Sequence, residues 1–171
     1  MNERPRGFTV LMLLFMATIL SIGLMVAVPF WETEIRREKE EELIFRGLQY
    51  VEAIRLFQKN NPGRYPQSLE DLSKQKCIRR LFRDPMTEDG VWRVILLPPD
   101  PTGQEASGSA RLLIASPSAL RSIPNPRIIG VVSASRKASI KIFNKQETYD
   151  RWLFFIGMGA DNIPEVEEFG T

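Results

Sequence analysis

RGFTVLMLLFMATILSIGLMVAVPFWETE, residues 6–34, decides how the rest of the chain must be read. From Phe8 to Trp31 it holds 24 positions without a charge, mostly Leu, Met, Ile, Val, Phe and Ala. At about 1.5 Å per residue a helix of that length reaches roughly 36 Å, enough for a hydrocarbon core of about 30 Å. A soluble core helix would show polar residues along one face. Here Thr9 and Ser21 are short hydroxyls that bond back to their own helix's carbonyls. The stretch therefore reads as a membrane-spanning helix over 8–31. Arg4 and Arg6 precede it, and Glu32 and Glu34 follow it. By the positive-inside rule the N-terminus lies in the cytoplasm, and the 140 residues after Trp31 lie across the membrane. A cleaved secretory signal fits poorly, because its apolar region would be about 7–15 residues. Met25-Val26-Ala27 also puts a bulky residue where a cleavage site needs a small one. A plain single-pass anchor satisfies the same physics.

Composition narrows the functions of the remainder. The chain has 171 residues and a net charge of +2, from 23 Lys and Arg against 21 Asp and Glu. That balance lacks the basic excess of a nucleic-acid binder, so no nucleic-acid partner is expected. There is no His, which removes every imidazole-dependent mechanism and His metal site. The single Cys77 excludes an intramolecular disulfide and a Cys-rich zinc site. No spacing of Asp and Glu singles out a catalytic pair. The expectation is a protein that is not an enzyme and carries no cofactor or metal.

Beyond the span, Glu32 to Asn60 contains no Gly or Pro except Gly47. Glu32 with Arg36, and Glu42 with Arg46, stand at helical spacing in the favourable order. From Glu32 to Glu42 almost every residue is charged and Ile35 is the one strong apolar residue, so this part reads as a solvated stalk. Amphipathicity begins at Leu43. At about 100° per residue, Leu43, Gly47, Tyr50, Val51, Ile54 and Phe57 fall on one side, the face to pack on a sheet. Phe45, Leu48 and Leu56 fall on a second side near Glu52, either a widened core face or a face for neighbouring subunits. Asn61-Pro62-Gly63 ends the helix.

The residues after it read as a small α+β domain. Ser68 is an N-cap with Asp71 three residues on, opening a short helix. Strands are expected over 91–97, 111–115, 128–133, 139–143 and 151–156, the fourth alternating polar and apolar as a half-exposed strand does. Loops cover 101–109 and 116–127, and 146–150 reads as one helical turn. One helix followed by short strands with brief connections suggests an antiparallel sheet packed on the long helix.

Arg6-Gly7-Phe8-Thr9-Val10-Leu11, a short basic leader ending in Gly before Phe-Thr and an apolar run, resembles the N-terminus of type IV pilins and type II secretion pseudopilins. Pro29 stands 21 residues beyond Phe8, a spacing common in that family. There it loosens the helix, since Pro lacks an N–H and clashes with the carbonyl at i−4, here Met25. A long helix, half in the membrane and half on a small domain, is similar to the same family. So, loosely, is the loop from Arg64-Tyr65-Pro66 to Asp84-Pro85.

The resemblance implies a prepilin peptidase that cuts between Gly7 and Phe8 and methylates the new N-terminal Phe. It also implies a bacterial inner-membrane location with a periplasmic head, partners among other pilin-like subunits, and an inner-membrane secretion or pilus assembly platform. The implied layout is a leader over 1–7, a span over 8–31, a stalk over 32–61, a head over 62–160 and an acidic tail over 161–171. The implied function is a structural subunit of a type II secretion pseudopilus or related filament. Its spans would pack laterally, with Ala17, Ser21 and Gly23 permitting close approach. Where the family usually carries a Glu, this chain has Met12. That Glu is thought to pair with a neighbour's terminal amine, and the family's tip subunit also lacks it. A minor or capping subunit, or a membrane-tethered binding module that never polymerises, is consistent with Met12.

Two charged clusters remain. Lys74, Lys76, Arg79, Arg80 and Arg83 put five cations in ten residues. They form either a docking surface for an acidic partner, a DNA contact of the kind competence pilins make, or a solvated amphipathic loop. Asp161, Glu165, Glu167 and Glu168 crowd the C-terminal segment. Major pseudopilins hold calcium with carboxylates in that region, but this run lacks the Asp-Gly-rich pattern and reads as a tail. Trp92 and Trp152 are expected in the core, Trp31 at the membrane interface, and Cys77 as a buried or unpaired thiol.

Overall fold

A computed structural model describes residues 6–97, 112–157 and 166–169. The chain forms two compact units, Met1–Glu38 and Lys39–Thr171, and helix α1, Arg6–Asn60, contributes to both.

In the first unit α1 is an apolar helix without a core of its own. Gly7–Met25 is long and apolar enough to cross a membrane, and none of it is buried within the protein. Its hydroxyls are satisfied internally. Ser21 Oγ donates to the Ala17 carbonyl at 2.8 Å, and Thr18 Oγ1 donates to the Phe15 carbonyl at 2.7 Å. Bonding of this kind satisfies these two hydroxyls within the helix itself, as an apolar environment would require. Ile35, in the charged stretch, is exposed.

In the second unit the expected stripe of α1 is the floor of the core. Leu43 and Ile54 are fully buried, and Tyr50, Val51 and Phe57 nearly so. Each contributes about 1.5–3 kcal/mol by leaving water. Gly47 lies within the same stripe because the Phe154 ring presses on it. A Cβ there would stand 2.4 Å from the ring. The second stripe is not core: Phe45, Leu48 and Leu56 are exposed. Of the two expected ion pairs, Glu42–Arg46 forms at 2.5 Å. Glu32–Arg36 does not form among the described residues.

The sheet contains β1 (Arg93–Leu96), β2 (Leu112–Ala115), β3 (Ile128–Val132), β6 (Phe154–Phe155) and β7 (Val166–Phe169), in the order β6-β3-β1-β2-β7. Its pairs are antiparallel except β2–β7, which is parallel. Four residues of the run read as an acidic tail thus form an edge strand. Trp92, Val94, Leu96 and Val131 face α1, and Ile95, Ile114, Ile129 and Val132 form a second apolar cluster. Alternate side chains of β1 enter different clusters, the period-2 rule of a strand covered on both faces. All five residues of β3 are buried, and beside a register shift at Ile95/Leu96 its Ile128 and Val131 join the first cluster and its Ile129 and Val132 the second. Short helices α2 (Leu69–Lys74) and α3 (Pro117–Leu120) lie in the connections. The capping box of α2 forms as its sequence requires, with Ser68 Oγ accepting from Asp71 N and Asp71 Oδ2 accepting from Ser68 N. Trp92 and Trp152 are buried. The 101–109 loop and residues 158–165 lie outside the described residues.

The segment 138–151 departs most from expectation. It forms a separate hairpin of β4 (Ala138–Phe143) and β5 (Gln146–Thr148), then a 3₁₀ turn over Tyr149–Arg151. The helical turn expected over 146–150 is thus a strand and a later turn. Of the strand expected over 151–156, only Phe154–Phe155 pairs. Asn144 and Lys145 both have positive φ, 48° and 61°, as a tight two-residue hairpin turn demands. The alternation of β4 is present with the opposite face inward. Ile140 and Ile142 are exposed, while Phe143 packs on Trp152 and Phe154 at 5.4 and 5.3 Å.

Glu40 supplies the physical reason. The solvated-stalk expectation fails at this residue, which has no exposed surface. Its carboxylate accepts from Ile140 N at 2.6 Å, Lys141 N at 3.1 Å and Tyr149 Oη at 2.7 Å. Consecutive N–H groups point to opposite edges in a regular strand. Five steps of β4 are matched by two of β5, so β4 bulges and both groups reach one carboxylate. Beside it Lys141 Nζ pairs with Glu41 at 2.7 Å.

Replacing Glu40 removes the acceptor that these three donors share. Glu40→Ala is expected to cost roughly 3–5 kcal/mol in urea unfolding of the detergent-solubilised protein, and Glu40→Gln about 1–2 kcal/mol, because the amide keeps one acceptor. Equal losses for both variants would contradict the hydrogen-bonding role.

Candidate functional site

Two surfaces gather the residues singled out by sequence. The first is the apolar part of α1. Gly7 and Phe8 lie in its first turn, and Phe8 and Met12 are exposed. At about 100° per residue, Phe8, Met12, Phe15 and Ile19 share one side. Ala17 and Ser21 share the other, one turn apart. Gly23 falls on the Met12 side, so the three small residues do not form one stripe. Pro29 is inside α1, and its side chain lies outside the described residues.

The second surface is the loop 75–92. Its backbone is held from beneath by buried side chains. Tyr50 Oη donates to the Phe82 carbonyl and accepts from Phe82 N, both at 2.9 Å. Trp92 Nε1 donates to the same carbonyl at 3.1 Å, and Arg46 donates to the Arg83 carbonyl. Tyr50 meets the Phe82 and Trp92 rings edge-on at 6.3 and 5.8 Å. Burial pushes the Tyr50 phenol up to about 12, so it remains a protonated donor at any physiological pH.

Asp84 anchors the far side of the loop. Its Oδ2 accepts from Ser133 Oγ at 2.7 Å, its Oδ1 accepts from Met86 N at 2.8 Å, and its own N–H donates to the Gly90 carbonyl at 2.9 Å. Burial raises its pKa, against the hydrogen bonds that lower it. The exposed Asp89 goes the other way, because Val91 N donates to its carboxylate. Cys77 is half-buried and its thiol is pushed up by burial.

The five cations end differently. Lys74 closes α2 and pairs with Asp71 at 3.4 Å. Arg80 stacks over the Phe82 ring at 5.4 Å, and Arg83 Nη2 donates to the Asp89 carbonyl at 2.8 Å. Lys76 and Arg79 are exposed. Glu167 and Glu168 fall in β7, while Asp161 and Glu165 lie outside the described residues. No group of three or more His, Cys, Asp or Glu suited to a metal occurs among the described residues.

Sequence reasoning missed Glu40, Asp84 and Ser133, and it counted Tyr50 only as apolar packing. Tyr50 had a signal, since a phenol on a core stripe needs a partner for its hydroxyl. Comparisons with family models, curated proteins and solved structures return no match to this chain.

Asp84 predicts a pH dependence. Its folded pKa stands above the unfolded value of 3.8, so the folded state binds the proton more tightly. Stability from this site is therefore full at the acid end and is lost as pH rises through the folded pKa. Asp84→Asn is expected to remove that decline, read as a flatter unfolding free energy between about pH 3 and pH 7.

Proposed function

We propose that the chain is a structural, pilin-like subunit of a type II secretion pseudopilus or a related filament. The observation that carries this reading is the division of labour along α1. One helix is apolar and uncovered over Gly7–Met25, and it presents a buried stripe to a small sheet over 43–57. The first part needs an apolar environment, and the second needs a folded head. The Gly7-Phe8 junction and Pro29 supply the family-like features. In this role the spans pack side by side in the inner membrane, the head stands in the periplasm, and motor and cargo are other proteins. Prepilin peptidase and the assembly platform are the proposed processing and assembly partners.

The test is the mature N-terminus, by mass spectrometry of protein from its native membrane. An N-methylated Phe8 is the expected result. A chain that retains residues 1–7 would leave a plain anchor, and a start near Pro29 would leave a secreted head.

A second reading is favoured by one residue. Met12 places a thioether where the family's carboxylate would stand, which suits a tethered periplasmic binding module that never polymerises. Met12→Glu distinguishes the two. In a degenerate subunit it is expected to raise incorporation into sheared filament fractions, because a buried carboxylate is favourable only when paired. In a tethered module it leaves the protein in the membrane fraction.

A further inference from the structure

We infer that the loop from Lys76 to Arg83 is a docking surface for an acidic segment of another protein, in which carboxylates flank an apolar side chain. The inference does not depend on whether the chain polymerises.

The loop is ordered before any partner arrives. Tyr50, Trp92 and Arg46 hold the backbone of Phe82 and Arg83 from below, so those two residues stand on a fixed frame. Two of its arginines are themselves positioned. Arg80 lies over the Phe82 ring. Arg83 crosses Gly90, where a Cβ would come 2.4 Å from its Nε, and its guanidinium is held by the Asp89 carbonyl. Gly90 also has φ +71°, so a side chain there is opposed on both counts. Fixing a guanidinium in advance reduces the entropy lost on binding, and its planar fork matches a carboxylate.

These cations are not neutralised within the fold. Among the described residues, no carboxylate pairs with Lys76, Arg79, Arg80 or Arg83. Leu81 sits among them with 38 % of its surface exposed. An exposed apolar side chain with cations on both sides of it along the chain suits an acidic peptide that also carries a hydrophobic residue. The extent of the patch argues against a polyanion. Glu70 and Asp71 precede it along the chain, and Glu88 and Asp89 follow it. A nucleic-acid backbone or an anionic lipid surface would extend past the loop and meet those carboxylates, whereas a short segment need not.

The test is a photo-crosslinker in place of Leu81 in the full chain, in its native membrane, with adducts mapped by mass spectrometry. The expected adduct lies on a segment of another protein with at least two Asp or Glu beside the attachment point. Arg80→Glu with Arg83→Glu is expected to cut its yield about tenfold. Arg79→Glu with Arg80→Glu, which leaves the Arg83 contacts intact, should also reduce it, and both variants are checked for an unchanged unfolding midpoint. An adduct on lipid, on nucleic acid, on a second copy of this chain or on a segment without carboxylates would overturn the inference. So would a yield no higher than from a crosslinker at Lys145, or one indifferent to charge reversal.

Discussion

The attachment of the β4–β5 hairpin to α1 depends on one buried carboxylate, that of Glu40. Burying the Glu40 carboxyl group is costly unless hydrogen bonds replace the lost hydration. The chain supplies three: two consecutive peptide N–H groups and a tyrosine hydroxyl. The requirement runs in both directions. A two-stranded hairpin is marginal on its own, and this one is tied to α1 at Glu40 and to the core through Phe143. The carboxylate needs the bulge of β4, and the bulge needs an acceptor for two N–H groups on one edge. Neither arrangement is sensible alone.

That mutual dependence explains what could be read from the sequence. The stripe from Leu43 to Phe57 was legible because packing on one face imposes a helical period. The capping box at Ser68 was legible because its two bonds join residues three apart. β1, β2, β3 and β4 were legible within two residues at either end, since apolar runs bounded by Pro and polar loops leave a local mark. Glu40 was not, because its partners are about a hundred residues away and it stands among other charges that do face water. Once it is buried, the inward face of β4 is set by Phe143 and the bulge rather than by Ile140 and Ile142. β7 was hidden by its composition: Glu167 and Glu168 in four residues read as a solvated tail, yet strands at a sheet edge commonly carry charged residues.

The loop 75–92 shows the same principle with smaller parts. It has little regular structure, so nothing in a periodicity search marks it as rigid. Its order comes from polar side chains on core elements, Tyr50 and Trp92, and from Asp84 with Ser133. Each is buried for packing and must then satisfy a polar atom. The loop backbone is the partner they find. Burial of an amphipathic aromatic thus fixes a surface loop several ångströms above it, and the cations on that loop inherit the order.

The exposed side chains of α1 bear on function most directly. Phe45, Leu48 and Leu56 lie on one side of a helix outside the apolar span, and none contributes to the core. A single exposed leucine means little. Three large apolar residues at spacings of three and eight form a line, and a line on a helix matches another helix better than it matches solvent. On the proposed reading a membrane span would confine copies of the chain to one plane, where modest apolar contact between neighbouring helices suffices. Within the second unit the sheet covers the Leu43–Phe57 stripe of α1, and Phe45, Leu48 and Leu56 are left for a neighbouring helix on the proposed reading.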